Sequence, residues 1–185
     1  MPESPAAARG REVRERLLAA AIELIPERGW TAVSTRVLAE RAGVTPSVVH
    51  YHFPSVTAVL NEAVVGFMRQ ALGEVEGVLE SAATPVEAVD AMFASVDRYT
   101  GADPASLIFV EAYLAATRDE HLRDQVAQIL GEFRGRFESW LADHGVPAPE
   151  ATAAVLAAAV DGVLLHRGLG GDQPSSAEVL RRLVA

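Results

Sequence analysis

The sequence predicts an all-α protein: a three-helix amino-terminal unit followed by a larger helical body, about nine or ten helices in total. Three observations predict it. Apolar residues recur at three- and four-residue steps along most of the 185 positions. Ala, Leu, Glu and Arg, all strong helix formers, are abundant. Glycine and proline fall between the periodic stretches, and the alternating patterns of strands are scarce. Half of the residues are hydrophobic, enough for a substantial core.

Residues 1–9 are expected to form a disordered arm. A first helix is expected from about Gly10 to Arg28, with Val13, Leu17, Ala21 and Leu24 on one face. Arg11–Glu15 and Glu12–Arg16 have the spacing of ion pairs on the other. Gly29 is placed to end it, and Pro26 to loosen its last turn. Ser34 is a suitable N-cap for a short helix over about Thr35–Ala42. Gly43 can supply a tight turn, and Thr45 with Pro46 opens a second short helix to about His52. Pro54 ends it and Ser55 caps a long fourth helix reaching about Glu80, about 39 Å at 1.5 Å per residue.

Further helices are expected over about Pro85–Tyr99, Pro104–Thr117, Asp119–His144 and Pro149–Gly168, with a short one from about Ser175. Val86, Val89, Phe93 and Val96 face inward on the first of these. Leu122, Val126, Ile129, Phe133, Phe137, Trp140 and Leu141 share one face of the third.

Composition narrows the function. With no cysteine, disulfides and thiolate metal sites are excluded. The start, Met1-Pro2-Glu3-Ser4-Pro5, is polar and lacks the apolar core of a secretory signal. The most apolar stretch, Ala151–Leu165, is broken by Asp161 and Gly162. A soluble, cytoplasmic protein without a membrane span is expected. The net charge of -9 argues at first against a nucleic-acid partner. The acid, however, sits in the second part. Residues 1–60 carry seven arginines against six acids, and residues 61–185 carry nine against nineteen.

The informative segment runs from Trp30 to Pro54. Leu38, Ala39, Ala42, Val44 and Val49 are placed to pack its two short helices together, and the small Ala39 and Ala42 let the axes approach closely. This is helix-turn-helix logic, in which the second helix enters the major groove. With Glu27-Arg28-Gly29 ahead of it, the Val37-Leu38-Ala39-x-x-Ala42-Gly43-Val44-Thr45 core within it and Tyr51-His52-Phe53 closing it, the segment resembles the TetR family of bacterial regulators. The resemblance covers about residues 10–65 strongly. Beyond them it rests on helix order and on Asp161-Gly162-Val163, which is similar to the family's Asp-Gly-Leu.

The resemblance implies a DNA-binding domain over 10–54 and a ligand-binding and dimerisation domain over 55–185. Thr45, Pro46, Ser47 and Val48 would read base edges, His50, Tyr51 and His52 would follow on the outer face, and Thr35 and Arg36 would reach phosphates. Elementary chemistry agrees: hydroxyls bind phosphate oxygens, and a valine can meet a thymine methyl. Two positions depart from the family pattern. His50 stands where tyrosine is usual, and Val56 where a phosphate-gripping lysine is usual. Loss of that lysine implies weaker non-specific affinity and a flatter salt dependence, with Arg9, Arg11 and Arg14 as compensating cations.

A candidate effector cavity is lined by Phe67, Met92, Phe93, Val96, Phe109, Tyr113 and His166, each of which can equally be plain core. Asp97 and Glu111 are edge residues, intrahelical partners of an arginine, or anchors for a cationic ligand. By the resemblance, two helices from each subunit form a four-helix dimer interface, with Phe133, Phe137, Trp140, Leu141, Val155, Ala158 and Gly162 as its residues. The implied partners are therefore a double-stranded operator, a small-molecule effector and a second copy of the chain, and no cofactor is implied. His50 and His52 lie two apart, on different faces of a helix, and make no metal site. An enzyme is the rival class, but no Ser-His-Asp order, phosphate loop or metal triad is present. A helical adaptor with a vestigial head is the third, and Val56 is its best support.

Overall fold

The computed structural model describes residues 5–170 and 176–185. Among them are nine α-helices and two short 3₁₀ turns. The helices are α1 (Pro5–Arg28), α2 (Thr35–Ala42), α3 (Pro46–His52), α4 (Val56–Ser81), α5 (Pro85–Val96), α6 (Pro104–Ala116), α7 (Glu120–Asp143), α8 (Pro149–Gly168) and α9 (Ser176–Leu180).

The local signals explain most boundaries. Ser34 and Ser55 accept hydrogen bonds from the amides of Val37 and Ala58, three residues on, at 3.3 and 3.1 Å. Thr84, Asp103 and Asp119 cap α5, α6 and α7 in the same way. Gly43 adopts φ 65°, and its amide closes onto the carbonyls of Ala39 and Glu40, which makes the turn between α2 and α3.

One expectation about α1 is corrected. The helix begins at Pro5, not Gly10, so residues 5–9 are helical rather than an arm; residues 1–4 lie outside the described residues. Proline is tolerated in a first turn and Ala6, Ala7 and Ala8 carry the helix onward. The other end falls at the expected Arg28, with Pro26 inside the last turn. A 3₁₀ turn at Trp30–Ala32, not anticipated from the sequence, follows.

The core forms two clusters. The first joins Leu17, Ala21, Leu24 and Ile25 of α1 with Leu38 and Val49 of the two short helices, the first half of α4, Ile108 and Ala112 of α6, and Leu122 to Ile129 of α7. The second joins Leu79 with α5, the second half of α7, the buried side of α8 and the carboxyl-terminal Leu180 and Val184. Leu72 of α4 packs against both. The apolar packing is therefore continuous across the expected head–body boundary at 54/55, and α6 lies directly on α1.

Where the loop after α5 meets the end of α8, Gly101 and Gly168 approach so closely that a Cβ on Gly101 would lie 2.3 Å from the Gly168 nitrogen. Arg167 completes this joint. It donates to the carbonyls of Val96 and Tyr99 at 2.9 and 2.8 Å and to the Asp97 carboxylate at 2.9 Å. Asp97 is thus the partner of an arginine on another helix.

Candidate nucleic-acid interface

α3 is seven residues long, too short to be stable by itself, and is held from beneath. Val49 is fully buried against α2, and Phe53, just past the helix, is buried as well. That anchorage turns Thr45, Pro46, Ser47, His50 and Tyr51 outward, while Val48 and His52 are half-buried at the edge. The Thr45 hydroxyl does not cap the helix but pairs with the Ser47 hydroxyl at 2.8 Å. Arg36 is exposed on α2, with Thr35 half-buried beside it. The nine residues expected at the interface therefore lie on α3, at its N-cap Thr45 and at the start of α2.

Tyr51 is 85% exposed, the least covered of the large hydrophobic side chains among the described residues. Its ring meets the His52 ring edge-on, with centroids 5.1 Å apart.

Val56 has a structural explanation. It is half-buried and packs against the first core cluster. Where the family pattern has a cation for phosphate, this chain has an apolar contact that pins α4 under the head. Arg9 and Arg11 lie on the exposed surface of α1. Arg14 pairs with Glu62 of α4, donates to the His52 carbonyl and sets its guanidinium carbon over the Phe53 ring. Arg41 of α2 bridges Glu23 and Glu27 of α1; the hydrogen bond to Arg41 lowers the Glu27 carboxyl, and Glu27 raises the Arg41 guanidinium in turn.

Two polar ties that no sequence pattern announced flank this region, the first joining head to body and the second lying within the body. The Trp30 amide donates to the Glu111 carboxylate of α6 at 2.9 Å. The buried Asn61 of α4 donates to Asp119, just before α7, at 3.0 Å. Both ties border an open cleft of about 950 Å³, whose walls include Trp30, Thr57, Arg118 and His121. Glu111 is therefore a structural acceptor rather than an intrahelical partner.

The Asn61 hydrogen bond, with help from the Leu122 amide and against the effect of burial, holds Asp119 below its ordinary 3.8. A carboxyl lowered in the folded state stabilises the fold above its unfolded value. That contribution is lost as pH falls through the lowered value. Asn61→Ala is expected to return the Asp119 titration toward 3.8 and shrink the difference in urea midpoint between pH 7 and pH 3. Carboxyl NMR titration measures the first; an unchanged Asp119 midpoint would contradict the assignment.

The residues expected to enclose an effector are not gathered around one space. Phe67 and Phe109 meet edge-on at 5.6 Å beside the first core cluster. Met92, Phe93 and Val96 are buried in the second. Tyr113 is 64% exposed and His166 is also exposed, so neither faces an interior.

The expected dimer set divides as well. Phe133, Phe137 and Leu141 are buried within the chain's own second cluster, with Phe137 1% exposed, and are corrected from interface anchors to core. Trp140 is half-buried and stacks on His144 at 3.9 Å. Val155 and Ala158 remain exposed and Gly162 half-buried on α8, in line with Leu165. α8 is apolar and long enough to cross a membrane by length and composition, yet only 22% of its most apolar window is buried.

Residues 17–63 match the profile of the bacterial regulatory proteins of the tetR family, and residues 83–185 match that of the tetracyclin repressor-like C-terminal domain. This chain belongs to the TetR family. A crystal structure of the transcriptional regulator SCO7518 from Streptomyces coelicolor A3(2) is 30% identical, with a TM-score of 0.74 over 94% of this chain and 96% of that one. The HTH-type transcriptional regulator BetI of Rhizobium meliloti (strain 1021) is 28% identical over 84% of this chain and 78% of its own. A transcriptional regulator of Saccharomonospora viridis, solved in complex with choline, shares the fold at 21% identity, with a TM-score of 0.73 over 94% of each chain. The TetR-family chain described here is thus a DNA-binding transcriptional regulator, not an enzyme, with its helix-turn-helix at α2 and α3.

Proposed function

We propose that this TetR-family regulator is a cytoplasmic homodimeric repressor that binds an inverted-repeat operator and is released by a small molecule. The observation that carries the DNA contact is the outward face of α3, where Thr45, Ser47, His50 and Tyr51 stand exposed over the buried Val49. Thr45, Pro46, Ser47 and Val48 read base edges, His50, Tyr51 and His52 reach the sugar-phosphate rim, and Thr35 and Arg36 hold phosphate. Two such helices about 34–36 Å apart fit successive major grooves.

The second copy docks on α8. A helix as apolar as this one, with Val155, Ala158 and Leu165 in water, supports a helix-to-helix contact between subunits. Exposed Leu169 extends that face toward the helix end. No membrane partner is needed to account for it.

Release follows from α4. It runs unbroken from its N-cap Ser55 beneath the head to Ser81 in the body, and Leu72 contacts both core clusters. A ligand that favours one placement of α4 over another by about 1–3 kcal/mol changes the spacing of the heads enough to shift operator occupancy several-fold or more. The choline complex of the Saccharomonospora viridis protein supports small-molecule control as a mode this fold accommodates.

The test is a selection of genomic fragments by the purified protein at low ionic strength, followed by footprinting. An inverted repeat with half-site centres one helical turn apart is expected. Recovery of no preferred duplex would overturn the operator reading.

A further inference from the structure

We infer that Arg14 is a positioning residue for DNA recognition, a clamp that sets the angle of the recognition helix rather than a phosphate contact. The inference rests on the regulator reading above. It begins with an imbalance in α3. A helix of two turns leaves its last carbonyls without partners inside the helix, and α3 has only one fully buried side chain, Val49, to hold it down. Such a helix can rock about Val49, and rocking would move Thr45 at one end against Tyr51 at the other.

Arg14 closes off that motion from α1. One guanidinium nitrogen donates to the His52 carbonyl at 3.2 Å, at the carboxyl end of α3 where a cation is favoured by the helix dipole. The guanidinium carbon lies over the Phe53 ring, 4.2 Å from its centroid. The other nitrogen pairs with Glu62, within the second turn of α4. One rigid planar group therefore joins α1, the end of α3 and the start of α4. The fork shape matters here, because a lysine ammonium has the charge without the flat face or the two directed donors. The ion pair is about 40% exposed on both sides and adds little to stability by itself. Its effect is on register.

The neighbouring geometry carries the constraint to the DNA face. The His52 ring lies near Gly10 of α1, where a Cβ would be 3.9 Å from its Cε1, and it meets the Tyr51 ring edge-on. Because Glu62 belongs to α4, a displacement of α4 pulls on the same arginine. Arg14 thus gives movement of α4 a directed polar route to the recognition helix, beside the apolar packing of the first core cluster.

The experiment compares wild type with Arg14→Met, Arg14→Lys and Glu62→Gln in the full chain. Two duplexes of equal length are used, one enriched by wild type from genomic fragments and one of random sequence. Hydrogen exchange over residues 46–53, measured without DNA, is read alongside. Arg14→Met is expected to speed exchange in α3 tenfold or more while residues 17–25 of α1 stay protected. It should also lower the ratio of selected to random affinity tenfold or more, with random-duplex affinity and salt slope unchanged. Arg14→Lys should recover part of that ratio. Glu62→Gln should act in the same direction, and should add nothing in the Arg14→Met background.

A fall in random-duplex affinity with the salt slope reduced by about 0.9 per lost contact would make Arg14 a phosphate ligand and overturn the inference. Unchanged exchange and unchanged ratio, or full recovery by lysine, would overturn it too. Should Arg14→Met fail to fold, Glu62→Gln decides by the same readouts. If wild type enriches no duplex, the operator reading falls, while the exchange data still decide the clamp.

Discussion

Replacing Thr45 and Tyr51 together with alanine is expected to weaken operator binding by roughly three orders of magnitude while leaving fold and oligomeric state intact. Each hydroxyl removed costs about 1 kcal/mol or more, and a dimer carries each change twice, so the sum is about 4 kcal/mol or a thousandfold. The fold is spared because both side chains point away from the core. Tyr51 is 85% exposed and the Thr45 side chain makes no capping bond to α3. Substitutions of that kind change stability by roughly 0.5 kcal/mol or less. Mobility-shift titration gives the affinity, and thermal melting checks the fold. Binding within a few-fold of wild type would place the DNA face elsewhere on the molecule.

The second large effect concerns assembly. Val155→Arg combined with Leu165→Arg is expected to convert the protein to monomers in sedimentation, with the helical content of each chain retained. Both side chains are 50% exposed on α8, so the substitutions leave the chain's own core untouched. Two like charges per subunit would then face the same two on its partner. Operator affinity should fall by about 10²–10⁴, the advantage of linking two half-site contacts in one particle. A dimer that survives the double substitution would move the interface off α8. Phe137→Ala makes an instructive contrast, since the fully buried Phe137 should lower stability by about 3–5 kcal/mol without first dissociating subunits.

These two predictions separate what was legible in the residues from what was not. The helix-turn-helix could be read directly. Ser34, Gly43, Pro46 and Ser55 act on backbone atoms within a few residues of themselves, and the structure uses each where the sequence places it. The ends of α2, α3 and α8 followed for the same reason. The helix α1 starts at Pro5, five residues before the expected Gly10, and proline can open a helix because its missing N–H would have no partner in the first turn.

The assignment of faces was a different matter. Phe133, Phe137 and Leu141 form an apolar stripe, as do Val155, Ala158 and Gly162, and period alone cannot say which stripe meets its own chain and which meets another. The structure buries the first against α5 and α8 and leaves the second largely in water. The effector set failed likewise, because Phe67 and Phe109 lie with one core cluster and Met92, Phe93 and Val96 with the other.

By itself the sequence determined an all-α chain and the position of its recognition helix, because caps, turns and helical period are interactions of near neighbours. Only the tertiary structure decided that Arg14 meets Glu62, that Glu111 holds the Trp30 amide, and that α8 keeps its apolar face open. Those outcomes depend on contacts between residues about 50 to 80 positions apart, which packing selects and local pattern does not encode.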